Sequence, residues 1–289
     1  MPDSPILEPV PVPSGNAPPP MSGPPIGGRL LATDRWWLLF IAVVALIALL
    51  AIAAPVPFQQ ILFFLADGIL VTLKITIVSF VFILFVGMLG GLGRVSNNRI
   101  IKGIASLYVE VVRGIPVLVW LLWIWFALPQ VLERGGLWIA GFAPSIGGAI
   151  ADTKLDPFTA AVIGFTVAYG AYMTEIFRAG IQSIAKGQME AARSLGMNYI
   201  QAMRYIILPQ AVRVILPPVG NEFVTLLKDS SLVSVLAVSD LTRRGREFVA
   251  RSFLSFDTFT MVALIYLMLT LFFTRVFSAV ERQMTVEKK

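Results

Sequence analysis

From Trp36 to Val280 the chain returns again and again to apolar runs close to the length of a bilayer crossing. A hydrocarbon core ~30 Å thick takes ~20 consecutive apolar residues in a helix. Such runs extend over Trp36 to Ala54, Ile61 to Leu92, Ile104 to Leu128, Phe158 to Arg178, Ala211 to Leu236 and Phe256 to Val280. No period-two alternation recurs in segments of ~10 residues, which argues against a membrane β-barrel. With 57% hydrophobic and 14% charged residues, the chain carries more apolar surface than a soluble domain can hide. The expected fold is all-α, a polytopic membrane helical bundle of about six spans.

Residues 1–34 read as a proline-rich, disordered cytoplasmic tail. Pro18, Pro19 and Pro20 stand in a row, and such a segment neither holds a helix nor has much to bury. Residues 35–58 read as an N-terminal transmembrane helix, with Arg29 and Arg35 ahead of it and Trp36 and Trp37 suited to the interface. Ala51-Ile52-Ala53 looks like a signal cleavage site, but the apolar stretch is longer than a signal core, which favours an uncleaved span. Arg94, Arg99 and Lys102 mark a cytoplasmic loop, and the polar, Gly-rich segment Gln130 to Pro157 suits the outside. Asp156 is placed to cap the fourth run, with Pro157 in its first turn. Residues 283–289 form a charged end.

This count places both chain ends in the cytoplasm. It also places Arg243, Arg244, Arg246 and Arg251 in an outer loop, against the positive-inside bias. Either the interrupted fifth run re-enters the membrane, or these arginines serve a partner or substrate. The net charge of +6 has this topological meaning, and nothing in its pattern calls for nucleic acid. The chain has no Cys and no His, so thiol nucleophiles, imidazole bases and the usual zinc ligands are missing. No cofactor or metal is expected.

Between the fourth and fifth runs lies a polar interlude, Lys186 to Pro209, which reads as two short helices around a corner. Met189, Ala192 and Leu195 recur on one face of the first, and Glu190 and Arg193 can pair on its solvent side. Gly196 can end that helix in the left-handed conformation. Asn198 can cap the second helix, and Gln201 can complete a capping box. Pro209 is expected to close the unit. From the physics alone the corner is either a presented docking surface or an ordinary connector.

Polar groups inside a span usually face a cavity or each other. Glu175 and Arg178 share a helical face, so Glu175 either pairs there or, with Tyr172, lines a pathway. Asn221 and Glu222 lie inside the fifth run and suit helix–helix hydrogen bonding or a pathway. Lys228 and Asp229 are adjacent, so the helix is expected to break there, with Ser230 and Ser231 satisfying freed backbone groups. Pro217-Pro218 is either a kink or a helix break.

Glu190-Ala191-Ala192, then Gly196, then Ile206, Leu208 and Pro209 resemble the EAA loop of bacterial ABC-importer permease subunits. Neighbouring stretches are similar to the polar-amino-acid permeases: Ala171 to Arg178, Gly187-Gln188, Lys228 to Leu232, Arg113 to Pro116, and Thr72, Leu73, Thr76 and Ser79. At Trp120 the chain departs from many relatives, which have Gln. The resemblance covers about residues 62–282. It implies an importer transmembrane domain over 59–282 with five spans, preceded by one extra span, and a coupling loop over 183–209. It also implies two permease subunits, alike or different, with separate ABC ATPase subunits holding ATP and Mg beneath them. An extracytoplasmic substrate-binding protein would deliver an amino acid. Glu190, Ala191, Ala192, Arg193 and Gly196 would contact the ATPase. Tyr172, Glu175, Asn221, Glu222, Lys228, Asp229 and Ser230 are candidates for the substrate pathway.

The chain has no G-x-x-x-x-G-K-[ST], so it is not the nucleotide-binding subunit and is not expected to be an enzyme. The expected location is the bacterial inner membrane, in contact with lipid, with the N-terminus cytoplasmic. Two alternatives are a permease for another small solute and a stand-alone secondary transporter. The latter predicts internal repeats and leaves the corner unexplained.

Overall fold

The computed structural model describes the backbone of residues 26–286, and among them all regular structure is helical. The proline-rich tail lies outside the described residues as far as residue 25. From Ile26 the chain is helical, so α1 (Ile26–Ala53) opens ahead of the expected boundary. The chain divides into two compact units within α1, after Leu39. The first contributes only the opening turns of α1 to the described residues. The second, from Phe40 onward, holds all the other helices.

In that second unit α1 buries Val43 and Ile47 in a core with Ile61, Leu65, Leu227, Met261 and Ile265. A π-helical turn, Pro55–Gln59, leads into α2 (Gln60–Val95). Asn98 then caps α3 (Arg99–Arg113), accepting from the N–H groups of Ile100 at 2.9 Å and Ile101 at 3.3 Å.

The third apolar run is not one straight span. α3 and α4 (Val117–Phe126) meet at a bend of 99°. Pro116 lacks an N–H and disfavours helix in the residue before it, so the chain turns at Gly114-Ile115-Pro116. The Trp120 indole donates to the Val112 carbonyl at 3.1 Å, satisfying an end group of α3. Gln130 to Pro157 is not merely a loop either. It holds α5 (Leu128–Ala140) and α6 (Pro144–Ala151), which touch backbone to backbone. A Cβ on Gly136 would lie 2.7 Å from the Gly147 carbonyl oxygen, so the contact requires glycine.

α7 (Pro157–Gln182) starts as expected. The Asp156 carboxylate accepts from Phe158 N–H at 3.0 Å and Thr159 N–H at 3.1 Å. The Thr159 hydroxyl bonds the same carboxylate, and together these bonds hold its pKa below the usual range. α7 lies directly along α2. A Cβ on Gly87 would sit 2.5 Å from Met173 Cβ, one on Gly91 2.5 Å from Phe177 Cβ, and one on Gly90 would collide with the Thr174 hydroxyl. Gly90→Val is therefore expected to destabilise the protein by about 1–3 kcal/mol. The check is the unfolding midpoint of the detergent-purified protein, and an unchanged midpoint would show that the two helices part freely.

After α8 (Lys186–Ser194), α9 (Tyr199–Ala202) and a π-helical turn (Met203–Ile207) comes α10 (Leu208–Asp229). Pro209 does not close the corner. It sits in the first turn of α10, where proline is tolerated, and the helix runs on. Pro217 and Pro218 lie inside α10 without breaking it. The helix does end at Asp229, giving way to a 3-10 segment, Ser230–Leu236. Ser230 Oγ donates to the Leu227 carbonyl at 2.7 Å, as expected of a residue closing a helix end.

Arg243, Arg244, Arg246 and Arg251 belong to a helix, α11 (Leu241–Ser252), rather than a loop. Asp240 caps it, accepting from Thr242 and Arg243 N–H. The arginines are held by the chain's own groups. Arg243 and Arg244 pair with Glu247 at 3.0 and 2.9 Å, and Arg244 also pairs with Asp67. Arg246 donates to the Ser234 carbonyl, and Arg251 lies over the Phe64 ring. Phe64 and Asp67 are near the start of α2, about 40–45 Å from Arg94 at its other end given the helical rise. The arginine helix and the corner, which packs near Val95, therefore lie at opposite ends of α2. α12 (Ser255–Val286) completes the chain.

Among the described residues, three helical stretches are long and apolar enough to cross a membrane: Pro55–Val95, Pro157–Gln182 and Ser255–Met284. The bent pair α3–α4 makes a fourth if it counts as one span. The apolar part of α1, Trp37–Ala53, is shorter, and α10 carries Arg213, Glu222, Lys228 and Asp229.

Candidate functional site

Two features stand out: the exposed corner at one end of the bundle, and a cluster of charged and phenolic groups where α7, α10 and the end of α3 meet. The corner is held by backbone geometry. Gly196 has φ +87°, donates its N–H to the Arg193 carbonyl at 3.0 Å, and Met197 N–H reaches back to the Ala192 carbonyl at 3.1 Å. That pair of bonds is the Schellman ending of a helix. Asn198 Oδ1 accepts from Gln201 N–H and Gln201 Oε1 from Asn198 N–H, each at 2.9 Å, so the capping box forms as expected.

Met189 and Ala192 face inward on α8, but Leu195 does not join them. It is the C-cap residue and is 82% exposed. Ala191, Glu190 and Arg193 are exposed too, and among the described residues no ion pair joins Glu190 to Arg193. Past the turn, Ile200 is 75% exposed, and Tyr199 and Tyr205 are also open. The corner thus presents apolar side chains alongside its charges, a mixture that periodicity alone did not reveal.

In the cluster, the Tyr169 hydroxyl donates to Asp229 Oδ2 at 2.6 Å. The Arg113 guanidinium lies 5.1 Å from the centre of the Tyr172 ring, which is 6.1 Å from that of Tyr169. Glu222 is within electrostatic reach of both Arg113 and Asp229. One cation, two carboxyl groups and two phenols thus converge. Arg113 and Tyr169 were not singled out as site residues from sequence. The available signal for Arg113 was its place just before the break at Pro116.

The other candidates fall elsewhere. Asn221 lines a cavity of about 150 Å³ between α10 and α12, with Pro217, Thr274, Phe277 and Ser278. Lys228 is exposed at the end of α10, and Ser230 is fully buried in its helix-closing bond. Glu175 is held in ion pairs. It lies 2.7 Å from Arg178 and 3.2 Å from Arg94 of α2, with its side chain only 18% exposed.

Residues 83–286 match the family model described as the binding-protein-dependent transport system inner membrane component. The chain is 36% identical over 222 residues to the glutamine transport system permease protein GlnP of Escherichia coli (strain K12), covering 77% of this chain and 93% of that protein. It is 37% identical over 221 residues to the arginine transport system permease protein ArtQ of Bacillus subtilis (strain 168), covering 76% and 92%. Among solved structures, an amino acid ABC transporter with histidines superposes with a TM-score of 0.67 at 36% identity, over 80% of this chain and 97% of that one. The MetNI methionine ABC transporter shares the fold at a TM-score of 0.60 and 20% identity, over 78% and 98%.

Proposed function

The chain belongs to the family of binding-protein-dependent transport system inner membrane components, and from that premise we propose that it carries polar amino acids inward, driven by ATP hydrolysed on docked ATPase subunits. It is a permease of an ABC importer and not itself an enzyme. The observation that carries the finer reading is the corner. Gly196 and the Asn198–Gln201 box fix a rigid elbow whose outer side holds Glu190, Ala191, Arg193, Leu195 and Ile200 in the open. Small Ala191 allows another protein to come close, and the surrounding apolar groups supply area to bury. In this reading the ATPase grips the elbow, and its closure displaces the membrane helices.

The amino-acid substrate fits the cluster. A zwitterion carries a carboxylate and an ammonium, which Arg113 on one side and Asp229 with Glu222 on the other complement in charge. Tyr172 supplies an aromatic wall. Asn221 and Lys228 extend the polar side of α10, and Ser230 holds the end of the helix that carries Asp229. A second permease subunit, alike or different, would close the other half of the path. The reading places the protein in the inner membrane with its N-terminus and elbow on the cytoplasmic side. An extracytoplasmic binding protein delivers substrate at the end of the bundle where α11 lies.

The test is reconstitution in proteoliposomes with the ATPase and binding protein, measuring uptake of a panel of amino acids. Uptake should require ATP and the binding protein and favour polar amino acids. Uptake that proceeds without the ATPase would overturn the proposal in favour of a stand-alone transporter.

A further inference from the structure

Glu175 is the one acidic residue within α7, and both its oxygens are engaged by arginines from two helices. Oε2 takes the Arg178 guanidinium, with Nε at 2.8 Å. Oε1 faces Arg94 at 3.2 Å, a charge contact rather than a directed hydrogen bond, and is otherwise buried. Arg178 in turn donates to Gln182, the last residue of α7. Arg94 comes from the last turn of α2, and among the described residues its one ion-pair partner is Glu175. The bridge therefore ties the last turn of α2 to α7 about two turns before α7 ends, beyond the glycine contacts that hold α2 to α7 one to two turns earlier on α2.

Its position relative to the elbow gives it meaning. Lys186, the first residue of the elbow, follows Gln182 after only a short link. Val95, next to Arg94, lines a cavity of about 460 Å³ together with Ile181, Lys186, Met189, Tyr199 and Met203. The elbow thus abuts the end of α2 across open space. Space of that size gives the elbow room to slide past α2 without moving it, unless α2 and α7 are fastened beside the gap.

We infer that Glu175 is a positioning residue that fastens the last turn of α2 to α7, so that displacement of the elbow moves both helices as one body. The inference rests on the importer reading. Glu175 touches no substrate in this scheme. It sets how much of the elbow's motion reaches the pathway.

The test uses the reconstituted complex with its ATPase and binding protein, comparing wild type with Glu175→Gln, Arg94→Gln, the double variant and Arg94→Lys. The readout is amino acid transported per ATP hydrolysed, alongside the apparent KM for uptake. Each Gln variant should lower the ratio by about five- to tenfold, the scale on which coupling elements act. The double variant should be no worse than Glu175→Gln, because that change already removes the Arg94 bridge. KM and substrate preference should not move, and Arg94→Lys, which keeps the charge, should retain the ratio. A shifted KM or preference would return Glu175 to the pathway and overturn the inference. So would an unaltered ratio, or a double variant whose loss is the product of the two singles. Should Glu175→Gln fail to assemble, Arg94→Gln alone carries the same comparison. Wild-type uptake that ignores ATP would instead sink the importer reading, a result distinct from any of these.

Discussion

Gly196→Asp is expected to lower ATP-driven uptake by about 100-fold while the protein remains inserted, because a carboxylate buried in a docked interface without a partner costs several kcal/mol. The fold itself should tolerate the change. No atom lies within 4 Å of where a Cβ would stand, so there is no clash. The demand at this position is the left-handed φ of +87°, which Asp and Asn adopt more readily than other non-glycine residues. Gly196→Asn is therefore the informative companion. It takes the same backbone and similar shape without charge, and should keep much more uptake than Asp. Gly196→Val, by contrast, should weaken the turn itself, since a β-branched residue is strained at positive φ. Equal uptake by wild type and Gly196→Asp, with normal ATPase binding, would remove the elbow as the docking surface.

Asp229→Asn is the second large effect, an expected loss of about 10- to 100-fold in uptake at limiting substrate, the scale of a hydrogen bond to a charged group. The substitution is chosen to spare the fold. An Asn oxygen can still accept from the Tyr169 hydroxyl, which now bonds Asp229 at 2.6 Å, and Ser230 still closes α10. What disappears is negative charge opposite Arg113. If the cluster recognises the substrate's ammonium group, the loss appears as a raised KM for every amino acid. Were KM unaltered across the panel, recognition would have to lie outside this cluster.

Local chemistry was readable from the sequence, and direction and distance were not. Asp156, Gly196, Asn198 with Gln201, and the helix end at Asp229 depend on contacts a few residues apart, and each forms as its residue type predicts. The third run misled because Val117 to Phe126 is as apolar as a span should be, and hydropathy carries no record of a 99° turn. Pro209 misled for the opposite reason: a strong breaker is harmless in the first turn of a helix. The helical pair α5 and α6 hid behind its glycines, which read as loop but serve close packing. The cluster of charged and phenolic groups depends on Tyr169 meeting Asp229, 60 residues away, and no period or motif connects them. The elbow's exposed apolar side chains obey the same logic, since Leu195 lies on an apolar period and is turned out only by the cap at its end.

The clasp between Arg244 and Asp67 joins residues 177 apart in the chain. Contacts of such separation close only after the intervening segments have been laid down. The Asp67 carboxylate therefore waits for this counter-ion through the synthesis of α3 to α10. The charge pair that fastens the start of α2 is thus made only once α11 has been synthesised, with α12 alone still to follow.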